Sequence, residues 1–193
     1  MRAGRIFVLG HSLGGMLIPR IGRNGSAVAG FIAMAANARP LEDLILEQTL
    51  FQASLATDLT TESKRAIMEV KKQVAAIKDL DGKSAPGTMF FGAPSSYWLD
   101  LKGYRPAAAA KAIERPMLIM QGEADCQVNR QRDFEEWRRA LSDKKDVAFK
   151  LYPTLNHLFM EVNARSTGAE YQQPGNVAAA VVSDIAGWIN GHR

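Results

Sequence analysis

A strand, a sharp turn between glycines and a helix follow one another near the start of this 193-residue chain. Residues 5–9 are mostly apolar, which is typical of a buried parallel strand. The turn that follows reads Gly-x-Ser-x-Gly, with Ser12 between Gly10 and Gly14, and residues 16–23 can continue as a helix. In this setting the turn predicts a nucleophile elbow, where small flanking residues avoid collisions and the serine hydroxyl stands clear of the sheet edge. The alternative is a glycine-rich turn with a capping serine.

Strands and helices alternate along much of the remaining chain. Apolar runs predict three more buried strands, and amphipathic or alanine-rich segments predict the helices. The predicted strands are residues 5–9, 27–34, 116–120 and 147–152, and the predicted helices are residues 16–23, 40–56, 61–80, 106–113, 129–141 and 176–190. This alternation predicts an α/β fold with a parallel sheet that begins at the elbow strand.

One stretch interrupts the alternation. The helices predicted at residues 40–56 and 61–80 have no strand between them, and residues 81–103 show no clear period. We therefore expect a single domain over residues 1–193, with an inserted helical cap at about residues 38–103 whose last part is rich in loops.

The composition is that of a globular protein. Hydrophobic residues make up 47% and charged residues 23%, which excludes disordered and collagen-like classes. The net charge of +4 is spread among acidic residues, so we expect no nucleic-acid partner. No apolar run approaches the ~20 residues that span a bilayer, and the basic start resembles a signal peptide only superficially, so a cytoplasmic location is the default expectation. Cys126 is the one cysteine, which excludes an internal disulfide.

A serine nucleophile needs a histidine that accepts its proton and a carboxylate that orients the histidine. Of the three histidines, His157 follows the fourth predicted strand, at the sheet edge where Ser12 is also expected. His11 lies inside the elbow; its side chain is expected to point away from Ser12 and to support the site or contact substrate. His192 lies near the C-terminus, where little would orient it. His157 is therefore the predicted base, and an ordinary core or surface histidine is the alternative.

Two acidic residues follow the third predicted strand. Asp125 lies deeper in the loop than Glu123, and Val128 can anchor the turn behind it, while Gly122 lets the chain turn where the strand ends. Asp125 is therefore the predicted orienting carboxylate. Glu123 is the second choice, with a solvated loop acid as its alternative role.

The order Ser12, Asp125, His157 is the chain order of the α/β-hydrolases, and the chain resembles the C-terminal portion of that fold. The elbow, the Gly-x-x-Asp-x-x-Val loop and the Asn-His loop carry the resemblance. Residues 38–45 and 94–101 make it similar to bacterial EstD-type esterases, near the dienelactone hydrolase and prolyl-oligopeptidase-like branches.

This resemblance implies a partial α/β-hydrolase fold and a serine carboxylic-ester hydrolase that needs no cofactor. Ser12, His157 and Asp125 would form its triad, and the Leu13 backbone N–H would supply one oxyanion donor. Its substrates would be small to medium acyl esters. Tyr97 and Trp98 would lie near the mouth of the site and line a substrate pocket, although packing within the cap is an equally good interpretation. We expect no metal, and no phosphate loop because no lysine follows Gly15.

The sequence departs from the family ahead of the elbow. Members carry about four strands there and a His-Gly-type loop with the second oxyanion donor, and only nine residues precede Gly10. Loss of one oxyanion donor costs about 10²–10³ in rate, so we expect impaired activity. The elbow strand would become a sheet edge, which a homo-oligomer could cover. A truncated or non-catalytic half-domain is the alternative function, followed by a thioesterase, acyltransferase or peptidase of the same fold.

Overall fold

The computed structural model describes residues 6–23, 27–83 and 87–192. The chain divides into two compact units. The first comprises Met1–Ala38 and Arg105–Arg193, and the second comprises Arg39–Tyr104. The segment predicted as a cap falls largely in the second unit, and its role as a lid stays a prediction. Arg5, at the predicted start of the first strand, lies outside the described residues.

Six strands and seven α-helices lie in the described ranges. The strands are β1 (Ile6–His11), β2 (Val28–Met34), β3 (Met89–Phe90), β4 (Ala93–Pro94), β5 (Met117–Gly122) and β6 (Val147–Tyr152). The helices are α1 (Leu13–Gly22), α2 (Leu41–Ser54), α3 (Thr61–Asp79), α4 (Ser95–Leu101), α5 (Pro106–Ala109), α6 (Glu135–Ala140) and α7 (Ala179–Gly191). Short helical turns of other types cover Ala110–Ala112, Arg130–Phe134 and Ala169–Gln172.

The first unit contains a four-stranded parallel sheet in the order β1-β2-β5-β6. All of β5 is buried, because it lies between β2 and β6 in the middle of the sheet. β1 is at one end of the order, and no other strand of the described residues pairs with its second edge. The predicted parallel α/β sheet that begins at the elbow strand is confirmed.

Helices cover both faces of this sheet, which explains why its strands read as unbroken apolar runs. On one face, Ile18 of α1, Phe31 of β2 and Trp137 of α6 belong to one buried cluster. On the other face, Leu118 of β5 packs in a second cluster with Val181 of α7. None of the helices in the described ranges combines the length and the hydrophobicity that a membrane span requires.

The second unit contains α2, α3, the β3–β4 pair and α4. Thr60 caps α3 by accepting a hydrogen bond from the Ser63 backbone N–H, at 3.0 Å. The prediction that residues 81–103 are loop-rich was wrong for α4, which buries Trp98 against Ile77 and Leu80. A helix of seven residues makes only two turns, too few for a hydrophobic period to be recognised.

Candidate active site

Ser12 occupies the tight turn between β1 and α1. Its backbone has φ 54° and ψ −119°, in the left-handed half of conformational space that residues with a side chain rarely adopt. The Ser12 backbone N–H donates to the carbonyl of Met34 at 2.8 Å, which ties the turn to the end of β2. A strained serine held in this way has the geometry of a nucleophile elbow.

The glycines around Ser12 do not all serve the turn. A Cβ on Gly10 would lie 2.3 Å from the carbonyl oxygen of Gly14, and a Cβ on Gly15 would lie 2.8 Å from the Ala36 Cβ. A Cβ on Gly14 would have no atom within 4 Å. Small residues were expected to be necessary at positions 10 and 14. The structure requires them at positions 10 and 15 instead, because α1 leads Gly14 away from the strand.

The N-terminus of α1 follows Ser12 directly. Leu13 is the first residue of the helix, so its backbone N–H has no acceptor within the helix. The aligned peptide dipoles also leave partial positive charge at this end. Both properties suit an oxyanion that forms beside the Ser12 hydroxyl.

Asp125 and His157 meet at the carboxyl edge of the sheet. The Nδ1 atom of His157 lies 2.8 Å from Oδ2 of Asp125, and both side chains are buried. The other carboxylate oxygen, Oδ1, accepts hydrogen bonds from the backbone N–H groups of Gln127 (2.7 Å) and Val128 (3.0 Å). We call residues 122–128 the acid loop. Val128 was expected to anchor the turn behind Asp125, and its backbone N–H also bonds the carboxylate directly.

The partners of Asp125 determine the tautomer of His157. Oδ2 of Asp125 also accepts a hydrogen bond from the Gln121 side-chain amide at 2.8 Å. An ionised carboxylate is an acceptor only, so Nδ1 of His157 carries the proton in this pair. Nε2 of neutral His157 then keeps its lone pair, which is the state that a general base requires.

The acid loop approaches residues 153–160, the loop after β6 that carries His157 and that we call the histidine loop. The two loops come closest at Gly122. A Cβ on Gly122 would lie 2.2 Å from the backbone carbonyl oxygen of Leu155 and 2.7 Å from that of Asn156. Gly122 is the last residue of β5, and its φ is not in the left-handed region. Gly122 was predicted to let the chain turn; in the structure it permits the close approach of two backbones.

Asn156 organises the loop that carries His157. Its side chain is fully buried, and Oδ1 accepts hydrogen bonds from the backbone N–H groups of Leu158 and Met160, each at 3.0 Å. Its Nδ2 donates to the carboxylate of Glu170 at 3.2 Å. The histidine loop is therefore folded around one buried amide.

His11 faces the histidine loop. Its Nε2 lies 2.8 Å from the backbone carbonyl oxygen of His157, and the two imidazole rings are 4.7 Å apart between centroids. Burial lowers the pKa of His11; the bond to the carbonyl and the charge of Asp125 oppose this effect, and proximity to His157 adds to it. His11 is therefore favoured in its neutral form.

The remaining candidates lie elsewhere. Glu123 pairs with Arg130 at a partly exposed position, and His192 bonds the backbone carbonyl of Trp188 on α7.

Trp98 donates from its indole to the carbonyl of Phe90 within the core of the second unit, which fits the cap-packing interpretation. Tyr97 is half-buried beside Trp98, and a role in substrate binding stays a prediction for both.

The Ser12 hydroxyl has no hydrogen-bond partner among the described residues, so the structure brings Asp125 and His157 together without a bond from His157 to Ser12. No role was predicted for Gln121, and Asn156 was noted only as part of the Asn-His loop. Each is a polar residue at the edge of an apolar strand or loop, which is a weak signal before the fold is known. Among the described residues, no group of three His, Cys, Asp or Glu side chains is arranged to hold a metal ion.

A cavity of about 400 Å³ lies beside the loop that carries His157 and the ends of β1 and β2, in the first unit. We call it the apolar cavity, because most of its wall is hydrophobic. It is lined by His11, Met34, Leu158, Phe159, Met160, Gly175 and Val177. Two of these residues, His11 and Leu158, are the direct chain neighbours of Ser12 and His157.

A parallel sheet with a strained serine elbow and an Asp–His pair at its carboxyl edge defines an α/β-hydrolase. The chain belongs to the serine aminopeptidase S33 family, whose model matches residues 2–163. The resemblance inferred from the elbow and its two partner loops is confirmed by this match and by the relatives that follow.

The chain is 36% identical over 185 residues to esterase EstD of Thermotoga maritima, a match that covers 96% of this chain and 42% of that protein. It also resembles the crystal structure of the Pyrococcus furiosus esterase Pf2001, with a TM-score of 0.53 and 13% identity over 98% of this chain and 54% of that one. The second likeness supports the fold alone. The chain spans about half the length, or less, of these two relatives.

Proposed function

We propose that this chain is a serine carboxylic-ester hydrolase that works through an acyl-enzyme. Ser12 Oγ attacks the ester carbonyl while Nε2 of His157 takes its proton, and the same proton then passes to the leaving alcohol. Asp125 stabilises the imidazolium that forms, and the Leu13 N–H stabilises the oxyanion. Water then attacks the acyl-enzyme with His157 again as the base.

The observation that carries this proposal is the 2.8 Å contact between His157 Nδ1 and Asp125 Oδ2, at the sheet edge where the Ser12 elbow also lies. The contact leaves Nε2 of His157 as the basic atom. The name of the 36% identical relative, an esterase, supports ester substrates over the peptide substrates that the family description suggests. Thioester hydrolysis and acyl transfer use the same three groups and remain alternatives.

The experiment combines turnover with labelling. The chain should hydrolyse p-nitrophenyl acetate and butyrate, and Ser12→Ala should lower kcat/KM by about 10⁴-fold. A fluorophosphonate should phosphonylate Ser12 with loss of HF, so the peptide containing Ser12 should gain the mass of the phosphonyl group. Ser142→Ala is the matched control, since Ser142 is an exposed serine after α6 whose hydroxyl donates to the backbone carbonyl of Arg139. Full activity in Ser12→Ala would reject Ser12 as the nucleophile.

We further propose that the apolar cavity holds the acyl chain. Its volume of about 400 Å³ falls within the range of roughly 300–1,000 Å³ for small-molecule sites. Val177→Trp should narrow it and reduce kcat/KM for butyrate more than for acetate. Val182→Trp is the control, because Val182 is exposed on α7 and does not line the cavity. Equal effects of Val177→Trp on both esters would place the acyl chain elsewhere.

One observation favours the second candidate, a half-domain with little activity alone. Leu9 of β1 is 48% exposed and Ile6 is 36% exposed, although β1 is the strand that leads to the nucleophile. An open strand edge with exposed apolar side chains is suited to pairing with another polypeptide, and a second copy of the chain is the partner we propose. Specific activity would then rise with protein concentration together with the dimer fraction in sedimentation experiments.

Two variants separate these candidates. Leu9→Lys should abolish the concentration dependence, and Val182→Lys, a similar exposed change on α7, should preserve it. A monomer whose activity is independent of concentration would favour a hydrolase that needs no second copy. An inactive monomer that fluorophosphonate does not label would favour the non-catalytic half-domain.

A further inference from the structure

Gln121 is a buried amide at the end of an otherwise apolar strand. It is 1% exposed, and the four residues before it in β5 are Met, Leu, Ile and Met. Its Nε2 lies near three acceptors: Oδ2 of Asp125 (2.8 Å), the carbonyl oxygen of Gly122 (3.1 Å) and the carbonyl oxygen of Val128 (3.3 Å). Because all three are acceptors, the NH₂ end of the amide must face them.

These contacts join both ends of the acid loop to the carboxylate that the loop carries. Gly122 precedes Asp125 and Val128 follows it, so one NH₂ group bridges the start of the loop, its end and its functional side chain. The bond to Oδ2 falls on the oxygen that also accepts from His157. Rotation of the carboxylate about its own axis would break both bonds together.

We propose that Gln121 is a positioning residue that holds the Asp125 carboxylate in the orientation that accepts the proton of His157 Nδ1. The inference rests on the proposed function, in which Asp125 orients the base. Burying an unpaired amide in a strand is costly, and an apolar residue of similar size would fill the same space. The polar end of Gln121 is therefore explained by the three acceptors that it contacts, of which the Asp125 carboxylate is the nearest.

A packing role and a positioning role predict different results for Gln121→Met. Methionine has a similar length and keeps the apolar contacts, but it cannot donate to Oδ2. The positioning role predicts a fall in kcat of about tenfold with KM unchanged, since small losses of alignment in a catalytic group cost one to two orders of magnitude. A packing role alone predicts a change in thermal midpoint with kcat retained.

Gln121→Glu provides a rescue that depends on pH. The ionisable groups around this position are Asp125 and His157, with His11 against His157 and the Glu123–Arg130 pair in the same loop. A neighbouring carboxylate raises the pKa of the introduced carboxyl, because two negative charges in contact are unfavourable. The protonated acid donates to Asp125 as the amide does, and the ionised acid cannot.

The pH profile of kcat/KM should therefore gain a descending limb in Gln121→Glu that the unmodified chain lacks. Gln131→Glu is the matched control, because Gln131 is exposed and follows the same loop. It should keep the unmodified profile. An identical profile in Gln121→Glu and Gln131→Glu, or full kcat in Gln121→Met, would overturn the proposal.

A second readout does not depend on turnover. In the Ser12→Ala background, the downfield NMR signal of the His157 Nδ1 proton should be protected from exchange, and Gln121→Met should speed its exchange by about tenfold. Unchanged exchange would overturn the positioning role. Failure of the proposed function would appear separately, as activity that survives Ser12→Ala while the Nδ1 proton still responds to Gln121.

Discussion

His11 donates its Nε2–H to the backbone carbonyl of His157 over 2.8 Å, which joins the strand that precedes Ser12 to the loop that carries His157. A carbonyl oxygen only accepts, so this contact requires the Nε2–H tautomer of His11. The bond links residues 146 positions apart in the chain. The bond therefore gives His11 a part in positioning His157, the proposed base.

Removing this bond should affect activity more than the fold. Glutamine can place its Nε2 near that of the imidazole, so we expect His11→Gln to keep most of kcat. His11→Phe removes the donor and should lower kcat by about tenfold, because the His157 loop loses one fixed point. Steady-state kinetics on p-nitrophenyl butyrate provide the comparison. Equal activity in the two variants would contradict the role of the bond.

The lowered pKa of His11 also predicts a dependence of stability on pH. The folded state binds the His11 proton less readily than the unfolded chain, whose histidine has a pKa near 6.5. The contribution of His11 to stability is therefore complete above pH 6.5 and decreases as the pH falls toward the lower folded-state pKa. Urea unfolding between about pH 8 and pH 5 should show a smaller loss of stability in His11→Gln. Parallel curves for the two proteins would contradict this.

The positive φ of Ser12 should lower the free energy of unfolding of the chain. Its φ of 54° suits glycine, so Ser12→Gly should be more stable than Ser12→Ala by about 1 kcal/mol, although both lack the hydroxyl. Thermal unfolding of the two variants at one pH tests this. An alanine variant at least as stable as the glycine variant would show that the strain is small.

Gly122 should tolerate no side chain. A Cβ there would lie 2.2 Å from the Leu155 carbonyl oxygen, so Gly122→Ala should destabilise the fold by about 3 kcal/mol. Gly187 on α7 has open space around it, and Gly187→Ala should stabilise the fold by about 0.5–1 kcal/mol. Urea unfolding of both variants measures the difference. A small loss in Gly122→Ala would mean that the two loops can separate.

Asp184 on α7 should contribute stability that acid removes. It accepts hydrogen bonds from Tyr152 (2.7 Å) and Lys150 (3.0 Å), and these two partners lower its pKa. Its contribution is full above the usual carboxyl value of 3.8 and is lost as the pH falls through the folded-state pKa.

Since the Lys150–Asp184 pair is partly exposed, Asp184→Asn should cost less than about 1 kcal/mol at neutral pH. The cost should vanish below the folded-state pKa. Tyr152→Phe removes the larger cause and should weaken this pH dependence. Chemical unfolding at neutral and acidic pH measures both effects, and a deficit in Asp184→Asn that persists in acid would contradict them.

Several parts of the site could be predicted because they depend on neighbouring residues. The apolar run of β1, the glycines and the following helix are contiguous, so Ser12 could be recognised without knowledge of the sheet. The strand before each loop was also recognisable, which directed attention to Asp125 and His157. The structure brings Asp125, the preferred acid, against His157 and pairs Glu123 with Arg130; the catalytic role of Asp125 stays a prediction.

Other parts depend on segments that meet only in the folded chain. The need for glycine at position 15 comes from Ala36, and the need at position 122 comes from the carbonyl of Leu155. The part played by Gln121 depends on where the acid loop returns. None of these pairs leaves a local pattern, so Gly14 was assigned a steric role that belongs to Gly15.

The amino-acid sequence by itself determined the elements and their order: a strand, an elbow, and polar loops after later strands. Local hydrophobic period and turn chemistry are sufficient for that, because they act over a few residues. The tertiary structure decided which atoms meet: His157 Nδ1 with Asp125 Oδ2, Gln121 with the same oxygen, and His11 with the His157 carbonyl. The strand order β1-β2-β5-β6 makes these contacts possible, because adjacent parallel strands bring loops that are distant in sequence to the same edge of the sheet.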